Sequence, residues 1–229
     1  AQPPAAFANM SAHRNCSSAP TLLMLLLSTV ACATLPAHNI SVGLPAHNLS
    51  VGRAQLAAAT AGPFAIFAGG YDSSGNDTDA VDILDTSQGS WTWSTARLST
   101  GRGVIGATGF VAPNGTAIAV FAGGKHESGD KNRTRVVDIV RFDVKATAAK
   151  AAPTARVVAT LVPVWSTVLM SSARSMVSAV SSTDGTLLFF AGGEYAQDAQ
   201  NQSTKQCSDV VDVFDISANA WRQPSLHLS

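Results

Sequence analysis

Short apolar runs recur along this chain, and a turn signal precedes each of them. The runs cover residues 64–67, 117–121 and 187–190. Apolar runs of this length, bounded by turn residues, are typical of strands that are buried on both faces. The turn signals are Gly62-Pro63, Asn114-Gly115 and Asp184-Gly185; Asn-Gly and Asp-Gly favour tight hairpin turns. The pattern therefore predicts three hairpins, each made of a strand, a turn and an apolar strand.

These hairpins belong to a longer pattern that is written three times. Each copy opens with five residues, L-S-x-G-R in the first two copies and M-S-S-A-R in the third. Phe-Ala-Gly-Gly, a strand that ends in Asp, and a Trp follow in that order. The opening arginines are Arg53, Arg102 and Arg174; the diglycines are Gly69-Gly70, Gly123-Gly124 and Gly192-Gly193; the strand-ending aspartates are Asp85, Asp143 and Asp215; and the tryptophans are Trp91, Trp165 and Trp221. A repeat of this length predicts stacked sheet units of one type.

The second copy is longer than the other two. Trp91 and Trp221 lie six residues after their aspartates, whereas Trp165 lies 22 residues after Asp143. Residues 144–164 are therefore predicted to carry an insertion.

The retained diglycines need a physical reason. Glycine in a strand costs about 0.5–1 kcal/mol relative to alanine, so six of them cost roughly 3–6 kcal/mol. That loss is comparable with the whole stability of a domain, about 5–15 kcal/mol. We therefore expect backbone to approach backbone at these positions, or φ to be positive.

The diglycine, the strand-ending Asp, the Trp and the opening Arg together resemble the kelch repeat, over residues 49–229. The resemblance implies an all-β fold, an incomplete kelch-type β-propeller in which each copy is one four-stranded antiparallel blade. The implied blades are residues 49–97, 98–169 and 170–227. Leu84, Phe142 and Phe214 precede the aspartates where the family usually has Tyr or Trp. Kelch domains serve as binding scaffolds, substrate adaptors and occasional enzymes, so the resemblance leaves the function open.

Residues 1–33 read as an N-terminal extension followed by an export signal. From Met10 the chain has Arg14 in a polar lead, an apolar run at 22–27 and Ala-Cys-Ala at 31–33, which is the pattern of a cleaved signal peptide. The apolar segment is shorter than the ~20 residues that span a bilayer. The alternatives are a buried element of the domain and a lipoprotein acylated at Cys32.

Residues 34–48 form a lead segment, in which residues 35–43 are nearly repeated at 44–52.

Three blades are fewer than the four to eight or so of a closed propeller. Leu228 and Ser229 match the first two residues of a further opening. We therefore expect the natural protein to continue with more blades. The alternative is a three-blade protein that closes by oligomerising.

Charge and sequons narrow the class of protein. The formal net charge is +0 at pH 7, so nucleic-acid binding lacks an electrostatic basis. Asparagines in N-x-S/T are more frequent after the signal than chance spacing gives, which predicts N-glycosylation in a secretory pathway. They are Asn39, Asn48, Asn76, Asn114, Asn132 and Asn201. For Asn114 the alternative is a turn role before Gly115.

Three of these sequons follow their diglycines at similar distances: Asn76, Asn132 and Asn201. We expect them on one rim, which would leave the opposite face or the central channel for a binding partner.

Cys207 is the one cysteine after the signal, so it either has a disulfide partner elsewhere or is a buried, inert thiol.

Candidate chemistry lies in the loops after the diglycines and in the opening arginines. The loop residues are Tyr71, Asp72, His126, Glu127, Glu194 and Tyr195. They resemble in type the ligands of kelch-type copper oxidases, but the chain has no adjacent Tyr-His pair, so solvated loop residues are favoured. Arg53, Arg102 and Arg174 could line a channel and bind a carboxylate, such as that of a sialic acid. The favoured alternative is that each of them bonds backbone carbonyls of its neighbouring blade, as a structural part of the repeat.

We therefore expect a secreted or surface-exposed glycoprotein, a kelch-repeat interaction module for a protein or glycan ligand. The sequence assigns it no cofactor, metal, nucleic-acid partner or membrane span. One alternative is a carbohydrate-active or copper-dependent enzyme of the same fold. Another is a structural module of a larger receptor.

Overall fold

The computed structural model describes residues 48–87, 91–126, 132–145, 160–196 and 205–228. The predicted export signal and nearly all of the lead segment lie outside these ranges, as do Asn39, Glu127 and Asn201. Within the ranges the chain forms sixteen β-strands and no helix. In chain order they are β1 (Arg53–Ala54), β2 (Ala57–Ala61), β3 (Phe64–Ala68), β4 (Tyr71–Asp72), β5 (Ala80–Asp85), β6 (Thr92–Arg97), β7 (Gly106–Val111), β8 (Ala117–Ala122), β9 (Val136–Lys145), β10 (Thr160–Leu169), β11 (Ser178–Ser181), β12 (Leu187–Ala191), β13 (Glu194–Ala196), β14 (Lys205–Cys207), β15 (Val210–Asp215) and β16 (Ala220–His227).

Twelve of the described strands build three antiparallel sheets of four strands each. Sheet 1 has the order β2-β3-β5-β6, sheet 2 the order β7-β8-β9-β10 and sheet 3 the order β11-β12-β15-β16. Each sheet takes its strands from one copy of the repeat, in chain order. The all-β, four-stranded antiparallel prediction is therefore confirmed. The pairs β1-β4 and β13-β14 add two-stranded sheets beside the diglycines.

The three sheets share one register. In each of them the Phe of Phe-Ala-Gly-Gly lies on the second strand, opposite the aspartate of a Val-Asp pair on the third strand. The pairs are Phe67 with Asp82, Phe121 with Asp138 and Phe190 with Asp212. These pairs, rather than the ends of the strands, align the copies with one another.

This alignment corrects the strand-ending aspartate of the second copy. Asp85 and Asp215 end β5 and β15, but the residue in the same register of sheet 2 is Arg141. Asp143 lies two residues further along β9, which continues to Lys145. The insertion lengthens this hairpin, so no turn follows Arg141 that an aspartate would cap.

The repeated tryptophan also needs one correction. Trp165 and Trp221 hold the same register on their fourth strands, and both pack against the core. In sheet 1 that register belongs to Trp93, which stacks on Phe67. Trp91 precedes β6 and is 54% exposed. The connection between β5 and β6 is longer than that between β15 and β16, so counting from the aspartate selects the wrong tryptophan.

Sheet 2 is the middle layer of the stack. Alternate side chains of β8 pack against sheet 1 (Ala117, Ala119 and Phe121) and against sheet 3 (Ile118, Val120 and Ala122). β8 is therefore buried on both faces, as its apolar run predicts. β3 and β12 instead alternate between buried and half-buried side chains. Among the described residues, sheets 1 and 3 each have a neighbouring sheet on one face.

The first two diglycines lie at points where neighbouring sheets touch through their backbones. The N–H of Gly70 donates to the Arg102 carbonyl and that of Gly124 to the Arg174 carbonyl, both at 2.9 Å. A Cβ on Gly123 would lie 2.4 Å from the Arg174 carbonyl oxygen, and the φ of Gly123 is +63°. Close backbone approach and positive φ are therefore both present at this position.

Gly123→Ala and Gly192→Ala separate these two constraints, because both glycines have a φ of +63°. The nearest atom to a Cβ on Gly192 lies at 3.7 Å, so this variant should lose only about 1–2 kcal/mol of unfolding free energy, from the left-handed backbone. Gly123→Ala adds an overpacking loss of about 1–3 kcal/mol. Urea unfolding measures both, and equal losses would contradict the close-approach explanation.

Candidate functional site

The opening arginine of each copy reaches a buried aspartate. All three guanidinium side chains are 0% exposed, and the three carboxylates are at most 3% exposed. The ion pairs are Arg53–Asp82 at 2.7 Å, Arg102–Asp138 at 3.0 Å and Arg174–Asp212 at 2.5 Å. The partner aspartates are those that set the register of the sheets.

Each pair joins the opening segment to several strands of its own sheet. In the middle copy, Arg102 Nη2 donates to the Phe121 carbonyl on the second strand at 3.2 Å. The backbone N–H of Ser99 donates to Asp138 at 3.2 Å. The Thr167 hydroxyl on the fourth strand donates to the same carboxylate at 3.0 Å. One charge pair therefore connects the opening segment with three strands.

This geometry favours the structural role of the arginines over carboxylate binding. A ligand would have to displace a buried aspartate from each guanidinium. The expectation that the side chains bond carbonyls of the neighbouring blade is wrong. The carbonyls that they contact belong to the arginine's own copy: Phe67 for Arg53, Phe121 for Arg102 and Phe190 for Arg174. The neighbouring copy is contacted by the backbone of the arginine, through the diglycine N–H.

Asp82, Asp138 and Asp212 are the residues that sequence reasoning missed. Each follows a valine inside an apolar strand: V-D-I in the first two copies and V-D-V in the third. A carboxylate at such a position is rarely buried without a partner. That pattern, in every copy, is the signal that could have identified them.

Burial lowers the pKa of Arg102 and Arg174, because a low-dielectric surrounding disfavours the charged form, and the paired aspartates offset part of this effect. Both guanidinium groups remain charged. Burial alone would raise the pKa of Asp82, but hydrogen bonds from Ser50 and Arg53 outweigh it and hold this pKa below its ordinary value.

Asp138→Ala should lower the unfolding free energy by about 3–5 kcal/mol, because it leaves Arg102 buried without a counter-ion. Asp79→Ala is the matched control. Its partner Arg97 is 78% exposed, and exposed pairs contribute about 0–1 kcal/mol. Urea unfolding measures both variants, and replacing the whole pair by Arg102→Met with Asp138→Leu should recover most of the loss. An Asp138→Ala loss as small as that of Asp79→Ala would contradict the structural role.

Acid should destabilise the fold. The pKa values of Asp72, Asp82, Asp184 and Asp215 are all held below the ordinary value, mainly through hydrogen bonds. Such a carboxylate contributes stability that is fully present above its unfolded pKa, about 4, and is lost as pH falls through the lower folded pKa. We expect Tm to fall as pH drops below about 4, and to fall less steeply in Asp82→Asn. Thermal melts across this range check both expectations, and a Tm that rises there would contradict them.

The residues after the diglycines connect successive copies at one end of the sheets. Three contacts cross from one copy to the next: the Tyr71 hydroxyl donates to the Lys125 carbonyl at 3.0 Å, His126 Nδ1 lies 3.6 Å from Asp77, and Arg133 lies 3.4 Å from Glu194. Most of the predicted loop residues in the described ranges thus stabilise the junctions between copies.

The other two loop residues act within their own copies. Asp72 accepts hydrogen bonds from the backbone N–H groups of Ser74 and Asn76 at 2.8 and 2.9 Å. The Tyr195 hydroxyl donates to Gln206 at 2.6 Å.

Within the described ranges, no three or more His, Cys, Asp or Glu side chains are close enough together to hold a metal ion. Likewise, none of the described segments forms a helix that could cross a membrane.

Asn76 and Asn132 hold the same place in successive copies. The carbonyl of each accepts a bond at 3.0 Å from the second residue after the diglycine, Asp72 and His126 respectively. The Asn76 side chain is exposed and that of Asn132 is half-buried. The two sequons therefore lie at the diglycine end of their sheets.

Asn114 lies at the other end, in the turn that precedes β8, and is exposed. Its side-chain oxygen accepts a bond from the Thr116 N–H at 3.1 Å, so the asparagine also shapes the turn. A six-residue strand spans about 20 Å, which is the rough separation between this turn end and the diglycine end. Asn48 is exposed as well.

Cys207 on β14 is exposed. The alternative of a buried, inert thiol is therefore wrong. Cys16 and Cys32 lie outside the described residues.

Sheet 2 carries an extended hairpin at the turn end. β9 and β10 have ten residues each, whereas β5 and β15 have six. β10 is an edge strand, and its Val162 and Val164 are 43% and 46% exposed. They point to one face, because residues two apart share a face of a sheet. Val164 lies directly opposite Arg141.

A cleft of about 430 Å³ opens beside this hairpin, between sheets 2 and 3. The turns at residues 112–116 and 182–186 form its sides. Its lining includes Ala112, Asn114, Ile118, Arg141, Thr186 and Ile216. Arg141 is the charged side chain among the lining residues.

Comparisons with known proteins speak to the fold alone. A solved structure titled "Structure of YjhT" aligns with a TM-score of 0.51 at 20% sequence identity, over 77% of this chain and 46% of that chain. The chain thus spans less than half the length of that structure. No family model matches the chain, and no curated protein matches it.

Proposed function

We propose that the three sheets are neighbouring blades of a kelch-type β-propeller. The first strands β2, β7 and β11 contact one another in succession, as the innermost strands of adjacent blades would. Each sheet runs outward from that strand in chain order. The repeated Arg–Asp pair, diglycine and Trp supply the same internal structure to each blade, and the likeness to a longer solved structure is compatible with this arrangement.

We further propose that the protein is a secreted, glycosylated interaction module. The export signal lies outside the described residues, so this proposal is supported by the sequons. Asn48, Asn76 and Asn114 are exposed, as an attached glycan requires. The repeated loop position of Asn76 and Asn132 would place glycans along one end of the blades.

The extended hairpin of sheet 2 is the contact surface that we propose for a protein partner, and its exposed valines are the observation that supports the proposal. Val162 and Val164 form an apolar stripe on the one hairpin whose third and fourth strands outgrow those of the other sheets. Pro163 lies between them on the edge strand, where it removes a backbone donor and discourages strand addition. A partner would therefore bind the side-chain face of the hairpin.

Glycosylation is tested by expression in secreting eukaryotic cells. Asn76→Gln, Asn114→Gln and Asn132→Gln should each remove one glycosidase-sensitive step in gel mobility, because each destroys one acceptor. Asn219→Gln is the control, since Asn219 lies outside any N-x-S/T sequence. Secreted protein whose mobility is insensitive to glycosidase would overturn the proposal.

The contact surface is tested by binding of the labelled protein to intact eukaryotic cells. Val162→Ser with Val164→Ser should reduce saturable binding at least about tenfold, as expected when a central apolar contact is lost. Val180→Ser is the control, because Val180 is 58% exposed on sheet 3. Equal binding of the double variant and the control, or no saturable binding by the wild type, would contradict this surface.

A further inference from the structure

We propose that the cleft between sheets 2 and 3 is a binding site for a small carboxylic acid with an apolar body, whose carboxylate pairs with Arg141. The inference goes beyond the interaction surface above and does not depend on it. It concerns a different ligand class and different residues.

The sides of the cleft are preformed. In the turn at residues 112–116, the Ala112 N–H donates to the Thr116 carbonyl at 2.9 Å and the Gly115 N–H to the Ala112 carbonyl at 2.8 Å. In the turn at 182–186, the Gly185 N–H donates to the Ser182 carbonyl at 3.0 Å. A ligand would therefore enter without ordering either turn, which is the usual state of a small-molecule site.

The junction between sheets 1 and 2 can be compared with the junction that holds the cleft. There the turn is shorter, with Gly62 and Pro63 between β2 and β3. A Cβ on Gly62 would lie 3.4 Å from the Ala117 side chain, so this turn packs directly on the next sheet. At the junction between sheets 2 and 3, a Cβ on Gly185 would also meet the preceding sheet, 3.0 Å from the Val111 carbonyl oxygen, whereas one on Gly115 would have no neighbour within 4 Å. The cleft opens beside this less closely packed turn.

Arg141 brings a positive charge to a register that holds aspartate in the other copies. Its Nη1 donates to the Ser166 hydroxyl at 2.8 Å, and within the described part of the chain it forms no ion pair. A guanidinium has five N–H donors in a planar fork. Donors therefore remain for a carboxylate, which this fork matches in geometry.

The acids closest in sequence to the cleft lining are already engaged. Asp215 accepts from the Ser217 hydroxyl and from Arg222 at 2.6 and 2.8 Å. Asp184 accepts from the backbone N–H and hydroxyl of Thr186 at 3.1 and 2.9 Å. Neither is paired with Arg141, so no carboxylate among the described side chains competes with the anion of a ligand for this guanidinium.

The apolar residues of the cleft lining indicate what kind of body the ligand carries beside its carboxylate. Ile118 is 2% exposed, and Ala112 and Ile216 lie beside it in the cleft. A fully hydrated inorganic anion gains nothing from this apolar floor, whereas a carboxylate on a compact hydrocarbon body fits both halves. The cleft volume is within the range of about 300–1,000 Å³ that small-ligand sites have.

Isothermal titration with phenylacetate and with its neutral counterpart phenylacetamide tests the proposal on the full chain. The wild type should bind phenylacetate saturably, at or below about 1 mM, and phenylacetamide at least about tenfold more weakly. Arg141→Gln should bind the two probes equally weakly. Arg97→Gln, which removes an exposed arginine at the diglycine end, should bind phenylacetate as the wild type does.

Amide chemical-shift changes locate the binding. They should concentrate at residues 112–118, 185–186 and 216–217 and vanish in Arg141→Gln, whose folding is checked by its unchanged remaining spectrum. Absence of binding by the wild type, equal binding of acid and amide, or full binding by Arg141→Gln would each overturn the site. None of these outcomes depends on glycosylation or on the valine stripe, so the two proposals fail separately.

Discussion

The buried arginine–aspartate pair is the interaction on which the rest of this structure depends. Its aspartate fixes the register between the second and third strands, and its arginine holds the opening segment against them. A buried charge pair is an expensive element, because desolvation cancels much of the Coulomb attraction. Its retention in all three copies indicates a role in specificity: once Arg102 is buried, few places other than beside Asp138 satisfy its charge. The pair thereby selects one register from those that an apolar strand would otherwise allow.

The same arginine also links one sheet to the next, by a different group. Its side chain is used within its own sheet, and its carbonyl accepts the N–H of the preceding diglycine. The two constraints are coupled, because a shift of the arginine backbone would break both the ion pair and the contact between sheets. Gly123 has room for a hydrogen atom alone on the side that faces Arg174. The stack is therefore built from a repeated hydrogen-bonded seam, with apolar side chains filling the space outside it.

The sequence predicts those features of the fold that depend on residues close together in the chain. Periodic apolar runs and turn residues are local, and they correctly predicted the hairpins and the reason for the diglycines. The four-stranded sheets were an expectation from the resemblance to the kelch repeat. Pairing between strands is not local. Counting from the last aspartate misplaced the tryptophan of sheet 1, because the connecting turn is longer there. It also missed Asp82, Asp138 and Asp212, whose importance comes from the arginines that fold onto them.

Arg141 is an example of a residue whose role depends on strand pairing and therefore could not be predicted from the sequence. Nothing in the linear sequence singles out its charge, which gains a meaning only when the register places it where the other copies have aspartate. The repeat can lose that aspartate because the extended hairpin no longer needs a cap at this point. Once free of its structural role, the position can carry a charge that faces a cleft. In a fold made of equivalent units, residues shared by every unit are explained by packing, so departures such as Arg141, the longer turns and the exposed valines are the better places to test for a binding site.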